Sequence, residues 1–459
     1  MYTRNHNSDR PLDIFRISFV LLLLALPALA QDSPPTRLRL ELAVEKALSK
    51  NPQIDLTVSN ARSAEARMRE AKSGRKPVID FSQSFTASNN PVFVFGSLLE
   101  QGRFSASNFA IDSLNNPNSI SNFRAAVTVR LPLFDQHQTR SRVDQNQIAI
   151  RQAELRAEST RQKLRYEVIR AFYGSILGKE MLVVNRQAVR SAEANRKKTK
   201  DMVEVGMTTA ADFLASEVEV ARATQTSLEA ESALAITVAS LNLLLTEEPH
   251  VEHDLDGDLS EKYFPIDDQK SLIRIALENR PEYLIADLQS QVAQSRSRAI
   301  RDQKLPSVDA FGNFGHSSPY ITNGSTDYTV GVALRYTLFD PGRKARLELA
   351  AEAETSAGAE KQILASQITF EVVQAFQKYT TAKEKIKVSI RTITQAEDAV
   401  RIVEDRYKFG LTTITEVIRC ETALVRAKHD LLAVRYDYYV SYAAVLLATG
   451  RLVDVSFFD

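Results

Sequence analysis

The sequence predicts a mainly α-helical chain with a small set of membrane β-strands, built from two internal repeats. Three observations predict it. The same order of landmark residues occurs twice, two long segments carry helical patterning with no proline inside, and two others alternate apolar and polar side chains over the length of a tilted membrane strand.

Composition sets the frame. The chain has 459 residues, 44% of them hydrophobic and 25% charged, with no Trp, one Cys and 15 Gly, a profile of solvated helices. Its one continuous apolar run, from Ile17 to Leu29, follows Arg4, Arg10 and Arg16 and ends in Ala28-Leu29-Ala30. That is the layout of a secretory signal peptide, and the run is shorter than the about 20 apolar residues of a spanning helix. Residues 1–30 are therefore expected to be a leader rather than part of the fold. Without them acids and bases are equal in number, which gives no electrostatic footprint for nucleic acid. Cys420 has no partner within the chain, so no disulfide framework is expected despite export.

The repeats are read from matched landmarks. Asn51-Pro52 recurs as Arg280-Pro281, and Lys76-Pro77 as Leu305-Pro306, both at an offset of 229 residues. Leu133-Phe134-Asp135 recurs as Leu338-Phe339-Asp340 and Gly206-Met207-Thr208-Thr209 as Gly410-Leu411-Thr412-Thr413, at offsets of 205 and 204. The first copy thus carries an insertion of about 24 residues between Pro77 and Phe134, and the stretch from Gly96 to Asn122, rich in Asn, Ser and Pro, reads as an exposed loop at a hairpin tip. The expected division is a first repeat over 31–246, a linker over 247–270, a second repeat over 271–450 and a tail over 451–459. Each repeat reads as short helix, strand, strand, long helix, tight turn and helix.

The long helices are expected from about Gln138 to Val203 and from Gly342 to Lys408, each roughly 100 Å at about 1.5 Å per residue. After the second turn, Val417, Cys420, Leu424, Ala427, Leu431, Val434, Tyr438, Ser441, Val445 and Ala448 keep a 3-4 spacing; Phe213 to Leu244 repeats the register one copy earlier. Two apolar stripes lie side by side on the first long helix, Val168, Phe172, Ile176 and Ile169, Tyr173, Leu177. Two seams allow packing on both sides and closure into a tube; an antiparallel bundle gives the same pattern.

Strands are expected at about Val78–Phe95, Phe123–Phe134, Val308–Ile321 and Tyr328–Phe339. In the second and fourth, Phe123, Val127, Val129, Leu131 and Tyr328, Val330, Val332, Leu334 fall on one face, opposite residues such as Arg124 and Arg335. A half-buried strand in a soluble sheet alternates in the same way. In lipid, four strands leave unpaired edges, so chains must combine. Two chains give eight strands and a filled interior, whereas three give twelve and a lumen, which predicts a homotrimer in outer membrane lipid.

Over nearly the whole mature chain these motifs resemble the TolC-like outer membrane factors. The resemblance implies a trimeric twelve-stranded β-barrel continued by a long periplasmic α-helical barrel, with a mixed equatorial region around it that would hold the 247–270 linker. Its implied function is an outer membrane channel-tunnel of a tripartite efflux or type I secretion system, conducting cargo passively. The implied partners are a periplasmic adaptor (membrane fusion) protein and a proton-driven or ATP-driven inner-membrane pump, with no cofactor. It also maps an adaptor-docking tip onto Val205, Gly206, Met207, Thr208 and Phe409, Gly410, Leu411, Thr412. A periplasmic gate maps onto Tyr407 with Asp212, and onto Glu416. Thr412 and Arg419 depart from the family pattern, so Glu416 with Arg419 is the expected substitute contact. Read from chemistry alone, the glycines supply left-handed turns, and Thr209 with Asp212, like Thr413 with Glu416, forms a capping box.

The run His250 to Asp258 lacks the spacing of a calcium loop and reads as an acidic solvated linker, Cys420 as a small residue of the heptad seam, and Gly174 with Gly178 as close helix packing. No nucleophile motif or phosphate loop points to an enzyme. The competing reading is a periplasmic coiled-coil adaptor or scaffold without a barrel.

Overall fold

The computed structural model describes residues 37–321, 323–453 and 458; the expected leader lies outside them. The element order is β1 (Arg37–Leu38), α1 (Leu40–Lys50), α2 (Pro52–Ser73), β2 (Val78–Ser88), α3 (Pro91–Glu100), a 3-10 turn at Ala106–Phe109, α4 (Ile111–Asn115), β3 (Ile120–Phe134), α5 (Gln138–Glu204) and α6 (Ala210–Leu245). Then follow β4 (Asp254–Leu255), α7 (Gln269–Asn279), α8 (Pro281–Asp302), β5 (Ser307–Tyr320), β6 (Asn323–Arg335), α9 (Arg343–Lys408) and α10 (Ile414–Ala448). The duplication is visible in lengths: α1 and α7 have 11 residues each, α2 and α8 have 22, α5 and α9 have 67 and 66, α6 and α10 have 36 and 35.

Local chemistry explains the shared boundaries. Pro52 and Pro281 each open a helix, where a missing N–H costs nothing. The aspartate that closes each Leu-Phe-Asp landmark accepts from the start of the long helix: Asp135 Oδ2 from Thr139 N at 2.6 Å, and Asp340 Oδ1 from Gly342 N at 3.0 Å. At the far end, Gly206 and Gly410 have φ of 74° and 67°. Each sits in a paired-bond termination, with Met207 N bonded to Met202 O (2.8 Å) and Leu411 N to Arg406 O (2.9 Å).

Two strand expectations are corrected. The first strand ends at Ser88 rather than Phe95, because Asn90 Oδ1 accepts from Val92 N and Phe93 N and starts α3. The fourth runs Asn323–Arg335 rather than Tyr328–Phe339. Its partner β5 begins just after Pro306, so nothing remains to pair beyond Ser307–Arg335. The third strand, Ser307–Tyr320, lies within a residue of its expected ends. The stretch Gly96–Asn122 is not a plain loop either, since it contains the end of α3, the 3-10 turn and α4.

The helices form a wall. α5 packs on α6 and α9 on α10, while α10 joins the halves by packing on α5; α2 and α8 cover the ends of α5 and α9 nearest the sheet. At Gly178 a β-carbon would lie 3.3 Å from Leu234 Cα, so the glycine permits close α5–α6 packing. The core sits halfway along, where both apolar stripes of α5 are covered within the protomer by α1, α6, α10 and the linker. Those stripes therefore do not serve two neighbouring chains. Exposed apolar residues remain on α9, at Leu349, Ile363 and Phe370, and as a stripe on α6: its heptad residues are buried or half-buried, but Leu214, Val218, Leu228, Ile236 and Leu243 on the other side are exposed. This helix is long and apolar enough to cross a membrane, yet its composition is accounted for by two lateral seams.

The linker is more than a solvated strap. Leu259 and Phe264 enter the core, and Tyr379 Oη donates to Phe264 O at 2.6 Å while Phe264 N donates to Tyr438 Oη at 3.2 Å. Its acidic run is tied down by Arg39 on Asp256 (3.0 Å) and by the parallel β1–β4 bridge. His253 Nε2 lies 2.9 Å from Asn242 Oδ1 and 3.0 Å from Glu247 Oε2. Phe458 closes the same core, 5.5 Å from the Phe264 ring and 5.6 Å from that of Tyr442.

Candidate functional site

Two regions carry the residues singled out from the sequence, the sheet and the helical tip. The sheet is antiparallel throughout, in the order β2-β3-β5-β6. Pairing aligns Phe81 with Val127, Val127 with Phe314 and Phe314 with Tyr328; one rung on, it aligns Ile79, Val129, Gly312 and Val330. Directly paired residues share a face. One face is thus Ile79, Phe81, Phe85, Phe123, Val127, Val129, Leu131, Phe314, Tyr328, Val330, Val332 and Leu334, and it is largely bare: Val330 is 74% exposed.

The opposite face is polar and cross-linked. Arg124 forms a fork on Asp327 (2.8 and 3.0 Å), Asn313 Nδ2 donates to Thr128 Oγ1 (2.9 Å), and Arg130 meets Asp80 (3.4 Å). Among the described residues β2 and β6 each pair on one side only, which leaves two open edges.

At the tip, Val205, Met207, Phe409 and Leu411 project into solvent, with Phe409 78% exposed, around the two left-handed glycines. Neither glycine has a neighbour within 4 Å of where a β-carbon would stand, so its requirement is purely conformational. The Thr209–Asp212 capping box is formed: Asp212 Oδ2 accepts from Thr208 Oγ1 (2.7 Å), Thr209 Oγ1 (2.8 Å) and Thr209 N (3.3 Å). The Thr208 hydrogen bond, with those from Thr209, outweighs burial and holds this carboxyl below its ordinary value. The second capping box is absent: Thr413 makes no side-chain cap, and the Glu416 carboxylate accepts from Arg419 instead, at 2.7 and 3.1 Å.

Tyr407 is 2% exposed and packs with Met202, Ile414 and Val417. Its hydroxyl lies 3.0 Å from Thr199 Oγ1, which itself donates to Asn195 O, so Tyr407 is the donor; Lys198 Nζ stands 5.0 Å from its ring centre. The structure therefore brings Tyr407 to Thr199 on α5, and leaves Asp212 with its own cap residues.

The family model for outer membrane efflux proteins matches residues 43–247 and 272–451, nearly all of both repeats. The chain belongs to the outer membrane efflux protein family. Outer membrane protein TolC of Escherichia coli is 20% identical over 202 residues, 40% of each chain, so the alignment spans well under half of that curated relative. Among solved structures, a membrane protein from Pseudomonas aeruginosa superposes with a TM-score of 0.78 at 18% identity, covering 90% of this chain and 93% of the other. The CmeC outer membrane channel of Campylobacter jejuni gives 0.75 at 15% identity, covering 90% and 85%. These likenesses fix the fold of this outer membrane efflux protein as an α-helical tunnel with a β domain. The protein resides in the outer membrane with its helices in the periplasm, and the enzyme reading is set aside on family membership.

Residues that sequence reasoning missed are those whose partners lie on another hairpin. Thr199 carries no motif, and nothing local marks it as the acceptor for Tyr407. Arg124 and Asp327 form a two-bond ion pair on the polar face of this outer membrane efflux protein, yet lie in different repeats. The visible signal was only parity: both fall opposite the apolar positions of their strands.

Proposed function

We propose that the protein is the passive outer duct of a tripartite export system, a homotrimer through which an inner-membrane pump drives cargo across the periplasm and outer membrane. The observation that carries this reading is the sheet: one face apolar on all four strands apart from the Gln83–Ala125–His316–Thr326 rung, one polar face, and two open edges. In lipid the apolar face needs hydrocarbon and the edges need partners, so β6 of one copy pairs with β2 of the next until twelve strands close. Phe123, Val127, Val129, Leu131, Tyr328, Val330, Val332 and Leu334 then face lipid, and the Arg124 face lines water. The uncovered stripe of α6 supports the same assembly, since a neighbouring helical wall would cover Leu214, Val218 and Ile236.

The tips Val205–Thr208 and Phe409–Thr412 are the adaptor-docking surface in this reading, because exposed apolar side chains on rigid turns are what a helical partner buries. Tyr407, Asp212, Glu416 and Arg419 surround the constriction. A scaffold without a barrel would leave the apolar sheet face without a role. The test is fractionation and electrophoresis. A heat-modifiable oligomer in the outer membrane that conducts ions in planar bilayers is the expected result; recovery as a detergent-free monomer would sink the proposal.

A further inference from the structure

The two repeats differ most where the strands turn. β5 and β6 are joined through residues 321–322, whereas β2 and β3 are joined through residues 89–119. Adjacent antiparallel strands need only a few residues to connect, so the extra chain serves something other than closure of the hairpin.

Its placement says what. From β2, at one edge of the sheet, the insertion reaches across to the far strands: at Gly102 an added β-carbon would lie 3.4 Å from that of Ser325 on β6. Glu100 Oε2 lies 3.3 Å from both Arg124 Nη1 and Ser317 Oγ, and Gln101 Nε2 donates to Ser121 O (2.8 Å) and Asn122 Oδ1 (3.0 Å). Asn122, Arg124 and Ser317 all belong to the polar face, and Asn122 and Ser317 are buried there. The insertion is thus pinned over the water-lined side of the sheet, away from the face assigned to lipid.

Within the insertion Val94 is buried, and Phe104 stands edge-on to the exposed rings of Phe95 (4.9 Å) and Phe109 (5.1 Å). Beside exposed polar residues such as Arg103, Asp112 and Asn116, the insertion leaves several large apolar side chains outside. Val92 and Leu99 lie along one side of α3, Val92 82% exposed, and Ile111 at the start of α4 is 77% exposed. Gly96 lies on the same side as Val92 and Leu99, with open space around it. Glycine inside a helix costs about 1 kcal/mol relative to alanine, and no neighbour within 4 Å in the protomer calls for it.

We propose that the 91–118 segments of the three copies meet across the pore axis and form an apolar cap on the outer mouth, tethered to the wall through Glu100 and Arg124. This rests on the trimeric duct reading. A three-fold axis running through the lumen brings identical segments on the lumenal face toward one another, and the covering surface for Val92, Leu99 and Ile111 is the same surface of the other two copies.

The test uses the full chain with Cys420, the only cysteine, changed to serine. Leu99→Cys should give covalently linked dimers on boiled gels after oxidation of outer membranes, while Val127→Cys, on the opposite face, should not. Replacing 91–118 by a short turn should raise single-channel conductance several-fold with the trimer retained. Glu100→Ala, which cuts the tether without removing the insertion, should lengthen the open time. A conducting trimer in which Leu99→Cys fails to cross-link and Glu100→Ala leaves the open time unchanged overturns the cap alone. Absence of any conducting trimer in the unmodified protein overturns the duct reading instead.

Discussion

The hydroxyl of Tyr407 donates to Oγ1 of Thr199 across the α5–α9 contact at the periplasmic end, 3.0 Å apart and sealed from solvent. It fastens the second repeat to the first within one turn or two of both tips. Any outward rotation of one hairpin relative to the other must break it.

Tyr407→Phe and Thr199→Ala should each cost about 1 kcal/mol at this contact, and each should raise the frequency of channel opening in planar bilayers. The double variant should open little more than either single one, because both remove the same bond. Fully additive effects would show that the two residues act separately.

The two turns should respond differently to loss of their acids. Asp212→Ala removes three hydrogen bonds at the start of α6 and should loosen that turn by about 1 kcal/mol, read as faster amide exchange at Ala210–Phe213. Glu416→Ala removes only an exposed pair with Arg419 and should leave the exchange at its turn unchanged. Equal effects at both sites would contradict the asymmetry.

Gly206→Val or Gly410→Val forces a β-branched residue into left-handed backbone, at a cost of about 1–2 kcal/mol, with no steric clash added. Trimer assembly should survive and export should fail. Export at the normal level would remove the tips from the docking surface.

Acid stability should depend on Glu282, at the base of α8. Burial by itself would push this carboxyl up, but hydrogen bonds from Ser159 and Lys163, with the charge of Lys163, bring it down to about 2. A depressed carboxylate contributes fully above its ordinary value of 4.5 and loses that contribution as pH falls toward 2. The amount is at most about 3 kcal/mol. Melting between pH 5 and 2.5 should fall less steeply in Glu282→Gln; identical slopes would assign the acid sensitivity elsewhere.

Phe264→Ala should cost about 3–5 kcal/mol, since the ring stacks on Tyr442 at 4.5 Å and 9° and its backbone is held by Tyr379 and Tyr438. The loss should appear as a lower melting temperature of the helical part. A change under about 1 kcal/mol would show that the linker merely lies on the core.

The sequence by itself determined what short-range physics governs. Proline-led helix starts, glycine turns, aspartate at each strand exit and the 3-4 spacing of α6 and α10 act over a few residues, so the two repeats and the ends of both long helices were legible to within about a residue or two. Alternation likewise marked which side of β3 and β6 is apolar. Only the tertiary structure decided the register of β2 and β5, the fate of the two α5 stripes, the course of the insertion over the polar face, the partner of Tyr407 and the entry of Phe264 and Phe458 into the core. Each of these joins segments far apart in the chain. Their contacts are selected by docking and shape after the helices exist, and such choices leave no periodic trace along the sequence.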